Sequence, residues 1–565
     1  MDSYYTLVDN QAKEREQLHK RMDDDLGLLY LNKYVLRDKN NLAVPDIINT
    51  TLNKPRVFFD NVVSGLQATS QQVVVESDNR NLDTHYIEGF QDAAFNAIGQ
   101  RLHAQGKPAL SFHTDAQLCG RGRAARLVAF HMKDGVLIPD VPEWDARNVY
   151  FEYGDDGLRW GANFVPRKAA DIEADYPEQI KKYHISLDGK ENLVLDVWAK
   201  DVHEIWINKS KAVEEPNPYG FCNVVLGIVP LGYGDIFLQK DRAMYEGESI
   251  FAAVRDIIPE LNRLISMLST LNHKQVMAAL QYKNPEGTPQ DEPPEYPRSR
   301  DVVSTGKGDI SPIDYGDARN AATMVFNMLE KAMEEGSLTS IDLGNLQFPL
   351  ADIALARIGR GKDRVYLPRL NTRALINQQT AEMFTKQCLS FGIPIELGVP
   401  GHKKTFELSK LEGEYSTTYK YFLKDAESDR IRLTMADAAS KYFDPETVLK
   451  ETLEVADWQD VMRKRYYYRA AQLDPNVAMY ETINAALELA DKGDKIASRK
   501  AQIMAETLKL NLVNIKAGKM TQPIQPLAPS EGGGPPMPLI PPARQGSPGA
   551  SQESLIEKSA PAGGE

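Results

Sequence analysis

Histidines, acidic residues and cysteines that lie close together in the sequence are the first candidates for chemistry. His113 lies two residues before Asp115, and His203 directly precedes Glu204. A histidine beside a carboxylate can move protons during catalysis, but isolated pairs of this kind are usually ordinary polar residues of the surface or core. Cys119 lacks the local signature of a catalytic thiol. These residues alone therefore do not indicate an enzyme.

Motifs of common enzymes are also absent from the sequence. The Gly-Lys steps at Gly306 and Gly361 are followed by Gly308 and Asp363, so neither carries the hydroxyl with which a phosphate loop binds magnesium. None of the nine histidines forms an H-E-x-x-H motif, and no G-x-S-x-G motif occurs. We therefore predict that the chain is not an enzyme and needs no cofactor and no metal.

Positive charge is concentrated in residues 357–373, RIGRGKDRVYLPRLNTR. This run holds six basic residues and one acidic residue, a local charge of +5. Such side chains bind phosphates without reading base sequence, and Gly359 and Gly361 predict a flexible or kinked backbone that can approach a phosphate closely. The candidates for DNA contact are Arg357, Arg360, Lys362 and Arg364. The alternative is a solvated run, or one that pairs with acidic residues of a neighbouring subunit.

The composition of the whole chain limits its class. Its 565 residues, 42% of them hydrophobic, can form two to four cores, and the formal charge of −13 argues against a surface that coats nucleic acid throughout. No stretch approaches the ~20 apolar residues of a membrane span, and the N-terminus lacks the apolar segment of a signal peptide. Cys119, Cys222 and Cys388 are widely spaced, which predicts reduced thiols in a cytoplasmic setting.

Helical and β-rich patterns divide the chain. The first 118 residues and residues 428–515 show mostly helical periodicity, as do residues 372–391, whereas residues 123–240 hold alternating apolar runs separated by turn residues. Residues 520–565 hold ten prolines, seven glycines and no aromatic residue, which predicts a disordered tail. The predicted class is α+β and helix-dominated.

Two predicted helices flank a Pro-rich segment at residues 284–300. Apolar residues recur at three- and four-residue steps from about residue 244 to 273, and Leu261, Leu264 and Leu268 are expected to be buried on that face. Pro259 must either kink this helix or occupy the first turn of its second half. A second helix is predicted over residues 316–336. The stretch 283–317 between them has a local charge of −4.

The order of several segments resembles the portal proteins of tailed bacteriophages. The resemblance covers most of residues 20–475. Its segments are NTTLNKPRVFFDNVVSGLQ (49–67), DARNVYFEYGDDGLRWGANFV (145–165), DVHEIWIN (201–208), PNPYGFCNVVLGIVPLG (216–232), GESIFAAVRDIIPELNRLISMLSTLNH (247–273) and KYFDPETVLKETLEVADWQDVMRKR (441–465). No single segment is diagnostic, but their order is typical of the family. The internal Pro259 and the long C-terminal tail depart from its pattern.

The resemblance implies the parts of a portal subunit. They are an N-terminal helical part of the wing (1–118), a β-rich wing (119–243), a stem helix (244–273), a clip (274–315), a returning stem helix (316–336), a tunnel loop (337–349) with a basic kink up to residue 371, a helical wing and crown (372–515) and a disordered Pro/Gly-rich tail (516–565).

The resemblance also implies partners and location. Portal subunits form a ring, usually a dodecamer, at one vertex of the virion capsid, and assemble in the host cytoplasm. The expected partners are double-stranded DNA in the channel without sequence specificity, the terminase large subunit, a head-completion or tail adaptor, and the major capsid and scaffold proteins, with no membrane. Two alternatives stay open. One is a virion adaptor or scaffold protein that does not encircle DNA, and the other is a nucleic-acid enzyme.

Overall fold

The computed structural model describes residues 3–79, 82–133, 136–155, 157–187, 191–232, 244–276, 280–283, 309–312, 318–338, 352–393, 395–399, 402–423, 426–453 and 455, with short stretches between 461 and 504. The chain divides into two compact units, Met1–Trp458 and Gln459–Glu565. In the second unit every described residue has helical backbone. Most of the predicted clip and tunnel loop, and all of the predicted tail, lie outside the described residues.

The first unit has the α+β fold that the sequence predicted. Its helices are α1 (Tyr4–Glu14), α2 (Glu16–Leu29), α3 (Lys54–Gln67), α4 (Thr84–Ala104), α5 (Leu110–Gly120), α6 (Ala169–Asp175), α7 (Pro177–Tyr183), α8 (Ile257–Val276), α9 (Ala318–Gly336), α10 (Asp352–Phe391), α11 (Ala426–Ala439) and α12 (Pro445–Thr447).

Its strands are β1 (Thr69–Glu76), β2 (Arg123–Leu127), β3 (Ala129–Lys133), β4 (Val136–Asp140), β5 (Glu143–Trp144), β6 (Val149–Gly154), β7 (Gly157–Lys168), β8 (Glu191–Ala199), β9 (Val202–Ile207), β10 (Ser210–Pro216), β11 (Val224–Ile228), β12 (Leu280–Lys283), β13 (Asp309–Pro312), β14 (Ile395–Val399), β15 (His402–Phe406) and β16 (Ser416–Leu423).

The N-terminal helices begin where local signals place them. The Asp83 carboxylate accepts a hydrogen bond from the backbone N–H of Tyr86 at the start of α4, and Arg101 and His103 lie in the last turn of that helix. Helix α3 has Pro55 in its first turn, where the missing N–H has no helical partner. The predicted helical character of the first 118 residues is therefore present, with β1 as an additional strand.

The β-rich part contains one five-stranded antiparallel sheet, in the order β10-β9-β8-β7-β6, and a three-stranded sheet, β11-β2-β5. Alternation along the strands leaves apolar residues on both faces of the larger sheet. On one face Tyr4 and Tyr5 of α1 contact Trp160 and Phe164. On the other face Ile172 of α6 joins a separate apolar cluster. The two covered faces hold this sheet in place.

The predicted helix 244–273 begins later than the sequence indicated. Residues 250–256 form turns, and α8 starts at Ile257. Pro259 is thus the third residue of the helix, in the first turn, where the absent N–H removes no helical hydrogen bond. Of the two possibilities for Pro259, the structure shows the first-turn position. The returning helix α9 nearly coincides with the predicted range 316–336.

The basic run lies inside a helix and not in a kink. The sequence predicted a loop and kink through residue 371 and a helix from residue 372, but α10 is continuous over 40 residues, through both glycines of the run and through Pro368. A glycine inside a helix costs only about 1 kcal/mol relative to alanine. Buried residues such as Leu370 and Ile376 anchor α10 in the protein core, and tertiary packing outweighs this local preference.

Three strands lie within residues 372–515, for which the resemblance implies a helical wing and crown; they fall between the two stretches with helical periodicity, 372–391 and 428–515. Strands β14 and β15 form a hairpin, and β16 pairs antiparallel with β1, with Glu76 opposite Ser416. Helices α4 and α10 pack on these strands in the main core, which includes Phe90, Phe384 and Phe406. Within the described part of the chain, no helix has the length and hydropathy needed to cross a bilayer.

Candidate functional site

Helices α8 and α9 form an antiparallel pair. A Cβ atom placed on Gly336, the last residue of α9, would lie 2.9 Å from Val254, which just precedes α8. The end of one helix therefore meets the beginning of the other. Leu261 of α8 shares one apolar core with Leu329 and Met333 of α9. This pair corresponds to the two predicted stem helices.

The three leucines proposed for stem packing differ in burial. Leu261 is 1% exposed and Leu264 is 7% exposed, whereas Leu268 is half-buried. We expect Leu264→Ala to lower the free energy of unfolding by about 2–5 kcal/mol, because it leaves a cavity, and Leu264→Asp to cost more. Chemical denaturation measures this. The control Leu433→Ala, at a leucine 64% exposed, should cost less than about 0.5 kcal/mol, and equal losses in both variants would contradict the prediction.

Two short strands lie between these helices in the sequence. Strands β12 and β13 pair antiparallel, with Lys283 opposite Asp309. The chain therefore leaves and returns at adjacent points around residues 284–308. The Pro-rich segment 284–300 therefore lies in the sequence between two residues, Lys283 and Asp309, that are neighbours in one strand pair.

Helix α10 carries the four residues proposed to contact DNA. Successive residues of an α-helix are about 100° apart, so Arg357, Arg360 and Arg364 share one side of α10 and Lys362 lies on another. The side chains of Arg357, Arg360 and Lys362 are outside the described part of the structure. Arg364 is exposed, and its Nη2 donates to the Glu335 carbonyl oxygen at 2.9 Å. A cation there also complements the C-terminal end of α9.

The second half of the basic run is buried and belongs to the protein interior. Arg369 is 2% exposed and Arg373 is 6% exposed. The Arg369 guanidinium donates to the Val365 carbonyl at 2.7 Å and contacts the Cys119 thiol. Arg373 forms an ion pair with Asp115 at 2.9 Å. The run is therefore divided into a first half that contains the exposed Arg364 and a second half whose arginines are buried. The net charge of the run does not reveal this division.

The Asp115–Arg373 pair lies where α5, α3 and α10 meet. Gln67 of α3 donates to the Asp115 carboxylate, and the Arg373 guanidinium lies 4.6 Å from the ring centre of Tyr421. Burial raises the pKa of the Asp115 carboxyl to about 6, although Arg373 and Gln67 act in the opposite direction. This pair ties the long helix α10 to the rest of the unit.

Residues 31–52 form a looped segment, which we call the strap, and its last part, residues 48–52, is extended along α8. Backbone N–H groups of Ile48, Thr50 and Leu52 donate to the side chains of Thr270, Ser266 and Asn262, each at 2.9 Å. Two residues of an extended chain span about 6.6 Å, and four residues of a helix span about 6 Å. Every second residue of the strap can therefore bond to every fourth residue of α8. The sequence analysis did not predict this contact; the polar residues at every fourth position of α8 are the pattern that would have indicated it.

Helix α9 is apolar on two sides. Its inner side holds Leu329 and Met333, which join the core. On its outer side Met324 is 66% exposed and Met328 is 63% exposed, whereas Val325, 44% exposed, lies about 40° from Leu329 at the edge of the inner side. Met324 and Met328 form the methionine stripe. A helix with apolar residues on both sides is typical of one that packs against two partners.

The histidine–carboxylate pairs picked from the sequence are separated in the structure. His113 contacts Glu143, while Asp115 pairs with Arg373. His203 lies between Asp196 and Glu215, at 2.9 and 2.8 Å, and Glu204 instead binds Lys211. Burial opposes the charged imidazole, but the two carboxylates outweigh it and raise the pKa of His203. Each of these residues is thus engaged in an internal contact.

The buried charges were missed by the sequence analysis. Arg21, Arg123 and Arg126 are each no more than 4% exposed. Arg21 donates to the backbone carbonyl of Met244 at 2.6 Å, and Arg126 donates to the Thr114 hydroxyl at 2.6 Å. Nothing in their local sequence distinguishes these arginines from solvated ones.

The described residues include no group of three or more His, Cys, Asp or Glu side chains that could hold a metal ion. Cys119, Cys222 and Cys388 are all buried and not joined in disulfides, which agrees with the predicted free thiols. No protein-family model matches the sequence, and no curated protein matches it either.

Proposed function

We propose that this chain is a portal protein of a tailed bacteriophage. It forms a ring at one vertex of the capsid, provides the channel for DNA packaging and ejection, and docks the terminase and the tail. The observation that carries the proposal is the antiparallel pair α8 and α9, with the strand pair β12–β13 between them in the chain and α10 after them. The chain between these two strands, residues 284–308, is the segment that would dock a partner.

The charge distribution supports a channel for DNA. The chain is acidic overall, with a formal charge of −13, so most of its surface repels phosphates and tight binding is avoided. Basic residues near the start of α10 recur once per subunit in a ring. Weak phosphate contacts of this kind add up without reading sequence.

Electron microscopy of the purified full-length protein tests the proposal. A closed ring with a central hole is the expected result. A monomer or an open filament would favour the adaptor or scaffold alternative. Turnover that depends on a metal or on ATP would favour a nucleic-acid enzyme.

The basic residues of α10 have a separate expected effect. Arg360→Gln with Lys362→Gln should leave ring assembly unchanged, alter the amount of DNA packaged or retained, and reduce the salt dependence of DNA binding, because two phosphate contacts per subunit are removed. Filter binding across a salt series measures this. Arg499→Gln with Lys500→Gln, exposed in the second unit, is the control. Rings that fall apart in the first variant but retain DNA normally would show that the residues bind a neighbouring subunit instead.

A further inference from the structure

The imidazole of His203 lies between two carboxylates on the neighbouring strands of the five-stranded sheet. Its Nε2 is 2.9 Å from Asp196 Oδ1 on β8, and its Nδ1 is 2.8 Å from Glu215 Oε1 on β10. A neutral imidazole has one N–H, and an ionised carboxylate only accepts hydrogen bonds. Both contacts are therefore hydrogen bonds only when both ring nitrogens carry a proton. This geometry is that of an imidazolium cation.

The indole of Trp198 is the third contact of this ring. The ring centres of Trp198 and His203 are 3.7 Å apart, and the two planes differ by 18°. The face of an aromatic ring attracts a cation, so the stack also favours the charged imidazole. His203 is 7% exposed, and burial by itself favours the neutral form. The charge of His203 is therefore stabilised by its partners in the fold and not by solvent.

Other carboxylates of β9 and of the turn before it act on the opposite face of the sheet. Glu204 binds Lys211 there. Burial, followed by Glu204 and Asp201, raises the pKa of the Tyr4 hydroxyl on α1, the helix that covers this opposite face. These two carboxylates therefore do not take part in the hydrogen bonds of His203.

Helices α6 and α7 cover the face that carries His203, as alternation along β9 places it. Between these helices, burial and then Asp196 raise the pKa of the Tyr176 hydroxyl. A tyrosine with a raised pKa stays neutral at about pH 9 and below. On the same face, Arg167 of β7 pairs with Asp175 of α6. The proton of His203 is thus controlled chiefly by Asp196 and by the carboxylate on β10.

Strand β10 leads into residues 217–222, which connect the sheet to the core around α10. The ring centre of Tyr219 lies 6.3 Å from that of Trp198 and 5.9 Å from that of Phe391, the last residue of α10. A line of ring contacts therefore runs from His203 through Trp198 and Tyr219 to the end of α10. A change of charge at His203 acts at the start of this line.

We propose that His203 is a pH-dependent latch, which holds β10 and residues 217–222 on the sheet while the imidazole is protonated. One ring then joins β8, β9 and β10. Loss of the proton leaves one carboxylate without its donor and removes the cation from the face of Trp198. Because β10 is an edge strand of the described sheet, it opens more readily once this link is lost. The latch does not depend on the proposed ring.

The latch is closed at low pH and weakens as the pH rises. Burial lowers the pKa of His203, but Asp196 and Glu215 outweigh burial and raise this pKa above its usual 6.5. A group whose pKa is higher in the closed state stabilises that state fully below the pKa of the open state, and less as the pH rises through the pKa of the closed state. Protection of the β10 amides from exchange should therefore be constant below about pH 6.5 and fall above it, by about tenfold for each unit between the two pKa values.

Exchange of the histidine Cε1 hydrogen in the full-length protein, followed by mass spectrometry, measures the pKa of His203. A pKa above 6.5 is expected. Glu215→Gln should lower this pKa, because it removes one carboxylate. Glu214→Gln is the matched control, since the Glu214 side chain is 61% exposed and that of Glu215 58%, but Glu214 binds Lys211. A pKa of 6.5 or below, or one that is equal in all three proteins, would overturn the latch.

Amide hydrogen exchange over the same pH range measures the opening itself. Protection factors of residues 210–222 should fall between about pH 6 and pH 9 in the wild type and begin to fall at lower pH in Glu215→Gln. In His203→Gln they should be low and independent of pH. Wild-type protection factors that are equal at both ends of this range would contradict the proposal. Glu215→Gln changes an exposed side chain and keeps the test decisive if His203→Gln does not fold.

Discussion

Rings assembled from a chain that lacks residues 284–300 are expected to form normally and to bind neither a packaging motor nor a tail adaptor. The deleted segment has five prolines in seventeen positions and adds little apolar surface to any core. The strand pair with Lys283 opposite Asp309 remains. Residues 301–308 then join the two strands, well below the roughly 12–15 residues at which loops become uncommon.

A length-matched control distinguishes the effect of the length of the segment from the effect of its composition. Replacement of residues 284–300 by seventeen glycine and serine residues restores the length of the excursion but not its acidic and proline-rich composition. The same loss of binding is expected from this variant, measured by pull-down with the terminase large subunit and with the tail adaptor. A monomeric deletion variant would show that the segment belongs to the ring interface. Normal partner binding would show that the docking segment lies elsewhere.

Arg373→Ala is expected to lower the free energy of unfolding by about 3–5 kcal/mol, the usual cost of removing one partner of a buried ion pair. The Asp115 side chain is 1% exposed and would lose the cation that lies 2.9 Å from its carboxylate. The double substitution Asp115→Asn with Arg373→Met should recover much of the loss, because it leaves no unpaired charge. Urea denaturation of the three variants measures these differences. A single substitution that costs less than its double counterpart would contradict the role of the pair.

The cost of Arg373→Ala should also depend on pH. Burial raises the pKa of Asp115 from its usual 3.8 to about 6, so the native state holds this proton more tightly than the unfolded chain does. The native state therefore gains stability from this group as the pH falls from about 6 toward 4. Without Arg373 the pKa of Asp115 should rise further, and the loss should be larger at pH 7 than at pH 5. A loss independent of pH would mean that Asp115 stays protonated throughout.

Part of the candidate site followed from the sequence. Helices α8 and α9, the Pro-rich composition of the segment between them and the basic character of Arg364 correspond to patterns within short windows. The burial of the other basic residues of the run did not follow from the sequence. Arg369 and Arg373 look like part of the same basic run, but the contacts that bury them come from Cys119 and Asp115, more than 240 residues earlier in the chain.

The sequence by itself determined the elements whose signals are local. Helical periodicity predicted residues 316–336, and the observed α9 is Ala318–Gly336. Alternating apolar residues separated by turn residues located the β-rich part. Pro259 limited this helix to two arrangements, a kink or a first-turn position, and the structure has the first-turn position.

Tertiary structure alone decided the features that depend on distant residues. Helix α10 continues through its glycines because burial on a shared core outweighs about 1 kcal/mol of local cost per glycine. Strand β1 pairs with β16 although Glu76 and Ser416 are 340 residues apart in the sequence. The strap likewise hydrogen-bonds to every fourth residue of α8. Backbone propensity acts over a few residues, whereas burial, ion pairing and strand pairing act between whichever residues the fold brings together. Those contacts determined the course of α10 and the burial of its arginines.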